Sequence, residues 1–187
     1  MKTYLQVVMI STIPLFSLNL QAEEIQEKKF SVGLGTYALN LSYSDPAMGS
    51  DDEFSGLALN AAYAFNDNVA IKGAYYSLEN DDFSELEATG LDLSVVAGTG
   101  LATQGFKIYG GGGLFKETWE ISGLSGDEDF SGLQLVGGLG YNWDVISIDL
   151  SVAIRDADDY GDFINNTVGG TGTVAAVTGA LTVSARF

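Results

Sequence analysis

From residue 30 to the end, the chain keeps a hydrophobic period of two, and no other feature constrains it as much. Alternation places apolar side chains on one face of an extended strand, whereas a helix would scatter them around its circumference. The final run TVAAVTGALTVSARF is the clearest case. Ala175, Val177, Gly179, Leu181, Val183 and Ala185 share one face, and Ala176, Thr178, Ala180, Thr182, Ser184 and Arg186 the other. Upstream, Ile146, Ile148, Leu150, Val152 and Ile154 lie opposite Ser147, Asp149, Ser151, Ala153 and Arg155. The same dyad runs through 57–65, 69–75, 91–97 and 133–143, and in a glycine-diluted form through 106–114. In 30–43 the apolar face changes parity near Thr36, from Phe30, Val32 and Leu34 to Tyr37, Leu39, Leu41 and Tyr43. That change implies either a bulge or a strand entering a different environment. The count is eight strands and no helix.

Alternation alone fits a soluble sandwich as well as a barrel in lipid, so the connections decide. They alternate in length. NDN (66–68), GLATQG (100–105) and NWD (142–144) are tight, whereas SDPAMGSDDE, LENDDFSELEA, SGLSGDED and DADDYGDFINNTVGGTG are long and polar. An even number of antiparallel strands, with short turns at one end and long loops at the other, is the pattern of an outer-membrane barrel. Aromatic residues sit at both strand ends: Phe30, Phe65, Phe106, Tyr141, Trp143 and Phe187 by the short turns, and Tyr43, Phe54, Tyr75, Phe130 and Tyr160 by the long loops. Two such groups are expected to form girdles at the headgroup level. The fold expected is therefore all-β: an eight-stranded antiparallel up-and-down transmembrane barrel over 30–187, with the short turns periplasmic and the long loops outside.

Three long loops carry the same short phrase, DDEF, NDDF and DEDF, ending at Phe54, Phe83 and Phe130. Their spacing is too uneven for a structural repeat. Each copy reads as a boundary, with the acid in water and the Phe at the membrane interface.

The N-terminus, MKTYLQVVMISTIPLFSLNLQA, has Lys2, an apolar stretch to Leu20 and Ala22 before the polar EEIQEKK. This fits a secretory signal peptide, residues 1–22, cleaved after Ala22. Residues 23–29 are then a short periplasmic segment ahead of the barrel. Composition closes off several activities. Among 187 residues there are 25 acidic against 8 basic, with no Cys and no His. Thiol chemistry, disulfides and imidazole catalysis are unavailable. A net charge of −17 opposes nucleic-acid binding, which needs Lys and Arg against phosphate.

The architecture resembles that of the eight-stranded outer-membrane barrels of Gram-negative bacteria, the OmpA-like and opacity-type "porin family" proteins. The most specific element is the last strand, alternating to a terminal Phe187, which looks like the signal read by the barrel-insertion machinery. The resemblance implies an outer-membrane location among lipid and lipopolysaccharide, and assembly with periplasmic chaperones and that machinery. No residues follow Phe187 here, so the peptidoglycan-binding domain of longer OmpA-type proteins is not carried over.

Three functional classes are open to such a barrel. Catalysis is disfavoured, because a Ser–His hydrolase of the outer membrane needs an imidazole; no enzyme activity and no cofactor is expected. A narrow ion or small-solute channel is the alternative reading, limited by an eight-strand interior that side chains nearly fill. The favoured reading is a structural or surface-interaction protein presenting acidic loops. Asp51, Asp52, Glu53, Asp127, Glu128 and Asp129 are weak candidates for divalent cations, since hard cations favour carboxylate oxygen, but no EF-hand spacing is present. Weak divalent bridging to lipopolysaccharide phosphate would offset their repulsion.

Inside the barrel, parity places Lys72, Asp92, Lys107, Asp149, Arg155 and Arg186 inward. They read as ion pairs that spare the lipid face from charge and fix strand register. Lys72, Lys107, Asp149 and Arg186 are expected to form one cluster near the short turns. The small inward residues Ala62, Gly90, Gly138 and Ala180 make room for long side chains.

Overall fold

The computed structural model describes residues 27–44, 51–83, 85–121, 127–168 and 173–187. The expected signal segment 1–22 and the start of the 23–29 segment lie outside them. Eight strands follow one another: β1 (Phe30–Tyr43), β2 (Asp52–Asn66), β3 (Val69–Asn80), β4 (Leu86–Thr99), β5 (Gly105–Ile121), β6 (Asp127–Asn142), β7 (Ile146–Arg155) and β8 (Val174–Arg186). Each pairs antiparallel with its neighbour, and β1 pairs with β8 from Ser31↔Arg186 to Tyr43↔Val174, so the sheet closes in sequence order. Closure leaves no unpaired edge, which a wall in lipid requires because hydrocarbon cannot hydrogen-bond a free backbone.

The outward face is an apolar belt. Leu34, Leu57, Leu133 and Leu135 each expose more than 60% of their surface, and Val95, Phe106, Leu114, Ile154 and Val183 more than half. So much exposed hydrocarbon is untenable in water and suits a lipid-facing wall. The strands outrun the belt. A bilayer needs about 9–11 residues per tilted strand, whereas β5 has 17 and β6 has 16. The excess lies at the long-loop end, where outward positions become Lys116 and Glu120 on β5 and Asp127, Asp129 and Ser131 on β6. There the wall stands in water.

The parity change in β1 is not a bulge. Its pairing with β2 runs unbroken from Phe30↔Tyr63 to Leu41↔Asp52. Phe30, Val32 and Leu34 face out, whereas Tyr37, Leu39 and Leu41 are buried inside. The strand keeps its alternation, and the apolar environment moves from outside to inside as β1 leaves the belt. A register shift occurs instead in the β2–β3 pairing between Ala64 and Asn66, beside a turn in which Asn66 Oδ1 accepts the amides of Asn68 and Val69 (2.8 and 2.9 Å).

The expectation of no helix is corrected: α1 (Asp158–Val168) forms in the β7–β8 connection. Asp158 and Asp159 in its first turn favour the helix dipole, and Tyr160 reaches from it into the lumen, fully buried.

Candidate functional site

The chemistry of this chain is concentrated in the lumen, which has three levels. At the long-loop end, Phe54 from β2, Trp119 from β5, Phe130 from β6 and Tyr160 and Phe163 from α1 form one aromatic cluster. Ring centroids lie 4.8 Å apart for Phe54–Trp119, 4.9 Å for Trp119–Phe130 and 4.6 Å for Phe130–Tyr160. Leu39, Leu41 and Leu78 complete the packing. This corrects the girdle and boundary readings: Phe54, Phe130 and Tyr160 do not face lipid but plug the barrel, and half-buried Tyr43 packs against the same interior cluster, while Tyr75 stays outward and Phe83 is exposed in its loop. Strand parity already carried the answer, since Phe54 and Phe130 fall on the inward, even-numbered phase of β2 and β6. The aromatic identity alone was misleading.

Below the plug lies the Arg155 network. The guanidinium, with no exposed side-chain surface, donates to Asp92 Oδ1 (2.8 Å), Glu117 Oε2 (3.0 Å) and the hydroxyls of Tyr37 (2.9 Å) and Tyr76 (2.8 Å). It also stacks over the Phe115 ring at 4.4 Å. Glu117 accepts from Tyr76 OH (2.8 Å), Trp119 Nε1 (2.7 Å) and Tyr160 OH (3.0 Å), and Asp92 from Tyr37 OH (2.5 Å). Each carboxylate is therefore paired and hydrogen-bonded, as burial of a charge demands. Glu117 was not singled out in the sequence, though it shares the inward parity of Lys107 and Tyr109. Gly90 faces Tyr76: a Cβ built there would lie 2.2 Å from the tyrosine oxygen, so the ring occupies space that only a glycine leaves.

The third level is centred on Asp149. Lys72 Nζ donates to Oδ1 and Lys107 Nζ lies against Oδ2, both at 2.8 Å. Tyr109 OH donates to Oδ1 at 2.6 Å and also accepts from Lys72, and Lys107 reaches Ser147 Oγ at 2.8 Å. Gly138 leaves room for Tyr109 as Gly90 does for Tyr76. Beside this triad is a cavity of ≈ 100 Å³ lined by Ser94, Ser151, Thr182 and Ser184 among others.

Arg186 stands apart from the cluster expected for it. Its guanidinium donates to the carbonyls of Ala102 (2.6 Å), Trp143 (2.6 Å) and Thr103 (3.2 Å). The reason is the 100–104 turn, which folds beneath the barrel so that Ala102 has no exposed surface. Gly100 and Gly105 bend it with φ of 73° and 120°, a region that favours glycine. Asp67 accepts from the amides of Gly100, Ala102 and Thr103 and from the Thr103 hydroxyl at 2.8–3.1 Å, and Asn142 donates to the carbonyls of Gly100 and Thr103. Partial burial of Asp67 works against its ionisation, but the Thr103, Gly100 and Ala102 donors outweigh it and hold the carboxyl below its ordinary value. Lys28 closes the other side, with its amide on Ala102 O and its ammonium on Asp144 at 2.8 Å.

The rim acids are not brought together. Asp51 accepts from Ser42 Oγ and the Tyr43 amide, Asp52 from Tyr43 OH and Glu53 from Asn40. Consecutive residues entering a strand point to opposite faces. Asp129 is bound by Thr118 and Lys116, and Asp127 and Glu128 are exposed beside it. Among the described residues no group of three carboxylates is placed to hold a metal. Phe187 is exposed, and its backbone amide and carbonyl pair with Phe30.

Comparison with known proteins places this architecture. A family model described as outer membrane protein beta-barrel domain matches residues 10–187. No curated protein matches the chain. Among solved structures, the chain is similar to Ail, the attachment invasion locus protein of Yersinia pestis, solved with the heparin analogue sucrose octasulfate. That match has 21% identity over 86% of this chain and 99% of that one, with a TM-score of 0.55. It is also similar to Neisserial surface protein A, at 16% identity, 84% and 95% coverage and a TM-score of 0.57. A third is OprG from Pseudomonas aeruginosa, at 14%, 88% and 99%, and 0.52. Likeness at these identities is one of fold. The closed wall, its lipid-facing belt and the family match over nearly the whole chain agree: this protein belongs to the outer membrane protein beta-barrel domain family and resides in the outer membrane.

Proposed function

We propose that this chain is a non-catalytic, non-conducting surface barrel whose filled interior holds acidic loops outside the cell. The observation that carries this reading is the plug. Fully buried Phe54, Tyr160, Tyr76 and Glu117, with Arg155 beneath them, pack together in the lumen, which favours a barrel closed to solutes at this level among the described residues. Eight-strand geometry supports it, leaving space for side chains and little else. The carboxylates of the Arg155 level are each met by several donors and poorly suited to proton transfer, and without His or Cys the chain lacks the usual nucleophile–base pairs.

In this reading the long loops face outward and the short turns lie in the periplasm. Asp81, Asp82, Asp127, Glu128, Asp158, Asp159 and Asp162 are all exposed at the loop end. Against them stands Lys116, itself 3.3 Å from Asp129. Such a rim repels polyanions of the sulfated-sugar kind found on Ail and favours cationic partners, or lipopolysaccharide phosphate through weakly held divalent cations. The exported precursor with signal peptide 1–22, its chaperones and a Phe187-dependent insertion step belong to the same proposal.

The test is conductance of the refolded protein in a planar lipid bilayer. In molar potassium chloride the wild-type barrel is expected to give no unitary steps. Discrete steps whose size scales with salt would overturn the reading in favour of a narrow channel.

A further inference from the structure

The two buried charge networks are unequal in how their excess charge is met. Around Arg155, two carboxylates face one cation, and the negative excess is covered: Glu117 receives Tyr76, Trp119 and Tyr160 besides Arg155, and Asp92 receives Tyr37. Around Asp149, two ammonium groups face one carboxylate, and the positive excess is not covered. A lysine ammonium has three N–H donors. Lys72 uses one on Asp149 and one on Tyr109, and Lys107 one on Ser147 while lying 2.8 Å from Asp149 Oδ2 as an ion pair. Each retains at least one donor with no partner among the described residues, and both side chains line the ≈ 100 Å³ cavity. Their walls at this level are backed by lipid-facing Ile71, Phe106, Ile108, Ile148 and Leu150. A net positive charge in such surroundings calls for a counter-ion.

We propose that this chamber binds one small monovalent anion, of halide or formate size, between the free N–H donors of Lys72 and Lys107, with Ser151 and Thr182 hydroxyls completing its shell. The ≈ 100 Å³ cavity has room for such an ion together with several waters. Charge sets the sign. The remaining acid on the lining, Asp92, is already held by Arg155 and Tyr37. The entry side is the short-turn end, where Lys28, Lys29 and Arg186 also line the cavity, and not the acidic rim.

The site is tested on the refolded full-length barrel in a zwitterionic detergent. Urea midpoints are compared in sodium chloride, formate and gluconate at equal ionic strength, with chloride-35 NMR line width as a direct measure of bound halide. Chloride and formate are expected to raise the midpoint above gluconate, and the protein to broaden the chloride line. Lys107→Gln should abolish both effects. Asp149→Asn should strengthen binding about tenfold, since it removes the competing negative charge, even as it lowers stability in gluconate. A purely structural triad moves the stability of both variants without any dependence on the anion. Equal wild-type midpoints in the three salts with no excess line width would overturn the proposal, and this wild-type result decides the matter if either variant fails to refold.

Discussion

The two halves of the lumen are built by opposite rules. Towards the long loops the interior is packed with large rings around a buried guanidinium. Towards the short turns small and polar side chains line it around Lys72, Lys107 and Asp149, with open space and a smaller buried cluster of Ala64, Ala70, Val96, Ala102 and Tyr109. The difference follows what lies outside the wall. Beside Phe54, Trp119 and Phe130 the outward residues are Glu53, Ser55, Thr118, Glu120, Asp129 and Ser131, so this part of the barrel stands in water and must supply its own hydrophobic core. Beside Lys72, Lys107 and Asp149 the outward residues are apolar and lipid covers them. There the closed ladder of backbone hydrogen bonds holds the wall with only a small internal cluster of Ala64, Ala70, Val96, Ala102 and Tyr109 beside it. The larger core is built where lipid no longer surrounds the barrel.

The contrast can be broken at chosen points, beginning with the largest expected effect. Arg155→Met removes the partner of two buried carboxylates in the dry half, and should cost about 5 kcal/mol, the upper end for a broken buried pair. A urea titration of the refolded barrel measures it. A loss below about 1 kcal/mol would mean that the aromatic plug, and not the guanidinium, holds this level together. Asp149→Ala makes the equivalent change in the half with a cavity, and about 3 kcal/mol is expected, because water entering the chamber can solvate the two lysines. The control is the rim pair Asp127→Asn with Asp129→Asn, which should change stability by under about 0.5 kcal/mol, as exposed pairs do. If the control outweighed Asp149→Ala, stability would reside in the loops.

The smallest effect concerns the floor. Asp67→Ala deletes the acceptor of three amides and a hydroxyl and should cost about 1–2 kcal/mol, less than for a buried site because Asp67 is partly open to water. It should show as faster hydrogen exchange at the amides of Ala102 and Thr103, with the Arg155 level unaffected. The pH dependence has a fixed sign. A carboxyl held below its ordinary value in the fold stabilises fully above the unfolded value, near pH 4, and loses that contribution as pH falls through the folded one. Protection factors at 100–104, with the intrinsic base catalysis of exchange divided out, should therefore fall in acid below pH 4 and stay flat above it; a fall on the alkaline side would exclude Asp67 as the clasp.

How much of this the sequence disclosed depended on how local the cause was. Strand number, closure and the inward phase of Lys72, Asp92, Lys107, Asp149 and Arg155 follow from a period of two, which each segment carries by itself. The plug was missed where residue type was preferred to phase: Phe54 and Phe130 looked like interface aromatics, yet their positions in the alternation pointed inward. Glu117 was missed because the apolar run of β5 ends near Leu114 while the strand continues to Ile121. Arg186 could not have been placed. Its phase was right, but its partners are the carbonyls of Ala102, Thr103 and Trp143, and nothing local to GLATQG tells that it folds beneath the barrel. The helix had a faint signal in DDYGDF, acids in a first turn followed by Tyr160 and Phe163 three apart, masked by a glycine and two asparagines within its 11 residues.

The plug also ties the filling of the lumen to the last part of the chain. Its rings come from β2, β5 and β6, and from α1, the segment made just before the last strand. Tyr160 stacks on Phe130 and Phe115 and bonds to Glu117, so the seal is complete only when α1 has docked against β5 and β6. The cork is cut from the end of the thread: the segment that stops the lumen leads directly into the strand that seals the seam, so the pieces that fill the barrel and close it are neighbours in the chain.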